Sequence, residues 1–195
     1  MKNTITQNRQ HPVGERGHYF STFELILLAL CASLVIVSRV LLHLPLHLPG
    51  HSGVFWMAAL VITRGLVPKV GAISLVGLSS GIIATFMGMG DKGPVSTLLS
   101  YLSAGVAVDL VALFLGGVDN ILAAALAGVA GNVAKLLTKA LVYLVLEIPA
   151  GFVTMGLLFF SMTTVVAGAA GGVLGWCILR ALRKAGFFLY LAEKR

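Results

Sequence analysis

Apolar runs close to the length that crosses a bilayer, about 20 residues, recur along this chain from residue 23 to residue 182. They leave no stretch long enough for a soluble domain. With 58% hydrophobic and 11% charged residues, the composition lies far from that of a soluble globular protein. The expected fold is therefore an all-α membrane protein, a six-transmembrane-helix bundle. Its spans are expected near residues 23–42, 54–67, 70–87, 98–115 and from about 120 to a turn holding Glu147, Pro149 and Gly151, with the last near 153–182. Residues 1–20 read as a polar tail, 21–184 as the transmembrane domain and 185–195 as a basic and aromatic tail. The first tail lacks the apolar core of a signal peptide.

The net charge of +7 is a topology signal rather than a nucleic-acid signal, because the basic residues sit at the ends of the apolar runs. Lys2, Arg9 and Arg16 precede the first span. Arg64 and Lys69 follow the second, and Arg180, Arg183, Lys184, Lys194 and Arg195 follow the sixth. All fall on one side of a six-span chain, whereas the opposite loops hold little beyond Arg39 and Lys92. The positive-inside rule puts both termini in the cytoplasm. Cys31 and Cys177 both fall inside spans and read as buried, inert thiols.

Charge inside such a span needs a reason. Asn132, Lys135 and Lys139 interrupt an apolar run at steps of three and four residues, which places them on one helix face. A lysine near mid-bilayer costs about 2.5–3.5 kcal/mol on insertion scales, so it faces a site, a partner or a wet cavity. The alternative is that the lysines snorkel to the interface along their aliphatic stems. Asp109 raises the same question in the fourth span, as a site residue or as a neutralising partner of Lys135. Tyr101 on that span and Ser161 and Thr164 on the sixth add polar groups to the outer half. His51 and Trp56 stand at the outer end of the second span. Together these residues outline an outward-open pocket. Two lysines and an asparagine favour a ligand carrying a carboxylate or phosphate; a neutral ligand is equally admissible if Asp109 neutralises Lys135.

Two further features bear on function. In LHLPLHLPGHSG, His43, His47 and His51 are evenly spaced, but Pro45 and Pro49 between them favour an extended loop over a helix. The imidazoles are weak candidates for metal or haem ligation, as no carboxylate or thiolate completes a set, and the loop reads as a lid. In the first span Ala29, Ala32 and Ser33 form a small-residue patch of the kind through which helices associate in lipid, either with a partner or within the bundle. GMGDKGPVST is a turn-rich loop without the spacing of a phosphate cradle. All five histidines lie outside the expected spans, so an intramembrane enzyme with a paired nucleophile and base is disfavoured. A ligand-free structural or regulatory bundle would leave the buried charges unexplained.

Taken with LALCASLVIV in the first span, the long apolar first outer loop and the late cluster of polar residues, this architecture resembles that of the S components of energy-coupling-factor (ECF) transporters. In that family an alanine-x-x-x-alanine pattern on the first span docks on a T component. Ala29 matches its first position and Ser33 replaces the second alanine. The resemblance implies a micronutrient-binding subunit without catalytic chemistry or a cofactor of its own. It implies as partners a T component and two ABC ATPases, which use the ATP. A cobalt or nickel branch uses a histidine directly after the first methionine; here Lys2 follows Met1, which disfavours that variant.

Overall fold

The computed structural model of the protein describes residues 20–42, 51–89, 93–146 and 150–186, with side chains except at 41, 42, 51, 52 and 150–160. Every regular element among them is an α-helix: α1 (Thr22–Leu42), α2 (His51–Leu66), α3 (Ala72–Phe86), α4 (Pro94–Phe114), α5 (Ile121–Val145) and α6 (Ala150–Lys184). Four contain a segment long and apolar enough to cross a membrane: Thr22–Val40, Pro94–Phe114, Ile121–Val145 and Ser161–Lys184. The apolar helices Gly53–Leu66 and Ala72–Phe86 are shorter. The protein is a multi-pass helical membrane protein.

Helix starts follow local chemistry. Pro94 occupies the first turn of α4, where its missing N–H costs nothing, so the helix begins before the expected residue 98. Asn120 caps α5, its side chain accepting from the Leu122 amide at 3.2 Å. α2 begins at His51 rather than at residue 54. Gly53 packs there against α5 and α6, where a Cβ would stand 3.3 Å from Asn132 Nδ2 and 3.6 Å from Ala167. Interhelix packing thus extends the helix through a sequence that reads locally as loop. Gly71, ahead of α3, lies in the left-handed region at φ 86° and offers no side-chain cap, a vacancy filled from another helix.

Close approaches fix the helix directions. A Cβ on Gly171 would lie 2.7 Å from that of Met57 and one on Gly175 2.9 Å from that of Val61, while Gly65 sits against Leu179. α2 and α6 therefore run parallel in constant register. α3 and α4 are antiparallel, with Gly77 on the Tyr101 carbonyl and Gly105 on that of Ile73. α5 and α6 are antiparallel through Gly128 on Gly168 and Gly172 on Ala124. This is the close backbone packing that drives association in lipid. Between the helices lies a core including Val35, Met57, Leu60, Val76, Tyr101 and Val108.

These directions give the bundle two ends. One holds Glu24, Arg64, Lys69, Asp119 and the end of α6; Lys69 Nζ donates to Glu24 at 2.6 Å, joining the α2–α3 turn to the start of α1. The other end holds Arg39, Trp56, Tyr101 and Lys135.

Cys31 is buried, as expected, but Cys177 is exposed on α6. It faces outward because the inward face of that turn is taken by Gly175 and Leu179. The expected tails, 1–20 and 185–195, lie almost wholly outside the described residues.

Candidate functional site

At the second end, two cations, Lys135 and Arg39, gather around two aromatic rings. Trp56 of α2 and Tyr101 of α4 are 4% and 2% exposed, with ring centroids 5.5 Å apart and planes tilted by 54°. Lys135 of α5 holds its ammonium 4.1 Å from the Trp56 ring centre and 5.5 Å from that of Tyr101. A cation over an indole face is drawn to the ring quadrupole. The rings lie against the half-buried Lys135 ammonium; the step of three from Asn132 turns it onto the face that meets α2 and α4.

A second cation, which the sequence alone does not reveal here, joins Lys135. Arg39, in the last turn of α1, stacks over Tyr101 at 5.4 Å, and its Nη1 donates to the Tyr101 hydroxyl at 2.5 Å. Its Nη2 donates to the Met89 carbonyl at 3.2 Å, pinning the end of α3. An arginine near the end of an apolar helix reads from sequence as an interfacial residue. Its membership in the site was signalled only by lying on the same side as Trp56 and Tyr101.

Around these cations the polar groups form a band. Asn132, buried on α5, donates to the Thr164 carbonyl at 3.2 Å and so ties α5 to α6. Thr138 donates to Ser103 at 2.8 Å, and Ser103 to the Ser100 carbonyl at 3.2 Å, tying α5 to α4. Lys139 lies one turn beyond Lys135, half-buried, and Ser161 is half-buried on α6. Among the described residues four buried side-chain polar atoms have no hydrogen-bond partner: Arg64 Nε and Asp109 Oδ1 at the opposite end, and here the Trp56 indole N–H and the hydroxyl of Ser100, next to Tyr101 on α4. A buried polar group left unpaired costs about 1–3 kcal/mol. Such groups beside two cations are what a polar ligand satisfies.

The structure does not bring Asp109 into this cluster. It stands eight residues beyond Tyr101 on α4, about 12 Å along the axis. There its Oδ2 accepts from the Ser74 amide at 2.8 Å and the Ser74 hydroxyl at 2.7 Å. It thereby caps α3 from a neighbouring helix, in place of the side chain that Gly71 lacks. Oδ1 lies 3.6 Å from Arg64 Nη1, and that nitrogen donates to the Lys69 carbonyl at 2.6 Å. Asp109 is therefore a structural anion of the opposite end and not the neutralising partner of Lys135.

The small-residue patch on α1 is also divided. Ala29 and Ser33 are exposed on one face, with the Ser33 hydroxyl returned to the Ala29 carbonyl at 3.0 Å. Ala32 is buried, 2% exposed, and its carbonyl receives the Ser80 hydroxyl of α3 at 3.5 Å. A third of a turn separates Ala32 from Ser33, enough to put them on different surfaces. His43 and His47 lie outside the described residues. His51 opens α2, but its side chain lies outside them as well.

No protein-family model matches the sequence, and no curated protein matches it. A solved structure does, a crystal structure of an S component of an ECF transporter. The TM-score is 0.62 at 16% sequence identity, over 91% of this chain and 95% of that one. By this likeness the protein has the fold of an ECF-transporter S component.

Proposed function

We propose that this chain is the substrate-binding S component of an ECF-type importer. It captures a vitamin or other micronutrient from outside and delivers it inward with a T component and two ATPases. The bundle crosses the membrane six times with both termini in the cytoplasm. The end bearing Arg64, Lys69, Arg180 and Arg183 faces inward, as the positive-inside rule requires. One observation carries the reading. In a chain with this fold, Arg39, Trp56, Tyr101 and Lys135, from four different helices, converge at the end away from those basic residues.

The proposed ligand carries a carboxylate or phosphate. Arg39, Lys135 and Lys139 supply cationic donors, and the Trp56 N–H and Ser100 hydroxyl are buried donors without an acceptor among the described residues. A desolvated cation with hydrogen-bond donors around it favours an anion over water. The chain performs no bond chemistry in this role. Energy comes from ATP hydrolysed by the partner subunits, and Ala29 and Ser33 are the exposed small residues offered to the T component.

The reading is tested by co-expressing the tagged chain with a T component and ATPases from the same cell. Copurification of all three and ATP-dependent accumulation of the ligand in vesicles are expected. A chain that purifies alone and leaves accumulation unchanged when deleted would remove the importer assignment.

A further inference from the structure

A second site lies at the opposite end of the molecule. The α4–α5 turn and the last turns of α6 enclose a cavity of about 200 Å³ lined by Val118, Asp119, Trp176, Leu179, Arg180 and Arg183. Val118 and Leu179 make an apolar floor, 3% and 2% exposed. Trp176 is fixed in the wall because its indole N–H donates to the Asp119 carbonyl at 2.8 Å. The Asp119 carboxylate pairs with Arg183.

Arg180 is left with capacity. Its guanidinium lies over the Trp176 ring at 5.1 Å, and it makes no hydrogen bond or ion pair with any described residue. A guanidinium presents five N–H donors in a planar fork that fits a phosphate with two parallel bonds. Two arginines against one aspartate leave the lining positive.

Position narrows the ligand class. Trp176, Arg180 and Arg183 lie at the end of the apolar segment Ser161–Lys184, the depth at which tryptophan and arginine meet the headgroup layer. Beside the α4–α5 turn, Phe114 and Leu122 are 83% and 68% exposed and offer an apolar surface to an acyl chain. A small soluble anion would use the arginines alone. A phospholipid uses both the cations and the apolar flank, and basic pockets between transmembrane helices are suited to such headgroups.

We propose that this cavity holds the phosphate of an anionic phospholipid, gripped by the Arg180 fork and backed by Trp176. The site is separate from the Lys135 cluster and does not depend on the importer assignment.

The test is native mass spectrometry of the full chain released from neutral-detergent micelles containing equal phosphatidylglycerol and phosphatidylcholine. The wild type is expected to retain one phosphatidylglycerol in preference to phosphatidylcholine. Arg180→Gln should lower that preference by about fivefold, the worth of one arginine at an anionic surface. Arg180→Lys should fall between, keeping charge without the fork. Lys184→Gln, outside the lining, should leave the preference intact. Arg180 is exposed, so its variants should fold; if one does not, the wild-type preference still decides. Equal retention of the two lipids overturns the proposal. So does equal loss in Arg180→Gln and Lys184→Gln, which would mark a diffuse basic surface. In a parallel arm, inorganic phosphate at matched concentration should not displace the lipid; full displacement would mean that a free anion, not a lipid, is the ligand.

Discussion

Lys135→Met removes the ammonium from the candidate site while keeping the stem that fills it. In the ligand-free protein the ammonium lies 4.1 Å from the Trp56 ring centre, an interaction worth about 0.5–2 kcal/mol. A methionine sulfur over the same ring returns about 0.3–1.5 kcal/mol, so the loss of the ring contact should by itself move the melting temperature little. Ligand binding should respond far more. An ammonium about 4 Å from an anion gains about 1 kcal/mol in water and about 4 kcal/mol at an effective dielectric of about 20. Lys135 is half-buried, nearer the second case, and a loss of about 2–4 kcal/mol is expected. That is about a 30- to 1,000-fold rise in Kd, readable by titration calorimetry in detergent with the purified wild-type ligand. Asp109→Asn added to Lys135→Met should not restore stability, because Asp109 serves Ser74 and Arg64. Wild-type affinity in Lys135→Met would refute the role given to Lys135, and rescue by Asp109→Asn would refute the separation of the two charges.

Four further outcomes follow from the same contacts. Trp56→Phe deletes an indole N–H that has no acceptor among the described residues; affinity should fall by about 1 kcal/mol, measured in the same titration. Asp109→Ala strips the cap of α3 and leaves the buried Arg64 guanidinium without the carboxylate beside it, its bond to the Lys69 carbonyl remaining. Thermal unfolding in detergent should show about 3–5 kcal/mol of destabilisation, and ligand affinity in the protein that remains folded should be unchanged. Gly128→Leu drives a side chain into the Gly168 backbone and should abolish stable folding, seen as aggregation in size exclusion, whereas Gly88→Leu meets no atom within 4 Å of its Cβ and should strain only its left-handed turn. Replacing Ala29 or Ser33 by tryptophan should abolish copurification with the T component and spare ligand affinity, because both side chains face away from the bundle.

The six helices were legible because each apolar run is bounded by turn residues, and the S-component resemblance rested on their number together with LALCASLVIV in the first span, the long apolar first outer loop and the late cluster of polar residues. Boundaries failed where packing overrules local preference: residues 51–53 look like loop, yet Gly53 fits so closely against Asn132 and Ala167 that α2 includes them. That Lys135 turns toward the bundle, against Trp56 and Tyr101, was legible because an ammonium in an apolar run cannot be neutral in its consequences. The partner of a buried charge was not. Asp109 announces that it needs donors, but sequence cannot distinguish Lys135 from Arg64 and Ser74; only the antiparallel pairing of α3 and α4 does so. Arg39 was overlooked for a related reason. Its position at a helix end explains it adequately as an interfacial anchor, and the Tyr101 hydroxyl that receives it is 62 residues away. Ala29, Ala32 and Ser33 looked like one patch because small size was visible and the direction of each face was not.

The most direct test is to identify, by mass spectrometry, the small molecule that copurifies with the chain in detergent, comparing wild type with Lys135→Met. A carboxylate- or phosphate-bearing micronutrient present near one per chain in the wild type and depleted in the variant is the predicted result. An empty wild-type protein, or a ligand retained equally by both, would contradict the claim that Arg39, Trp56, Tyr101 and Lys135 form the binding site.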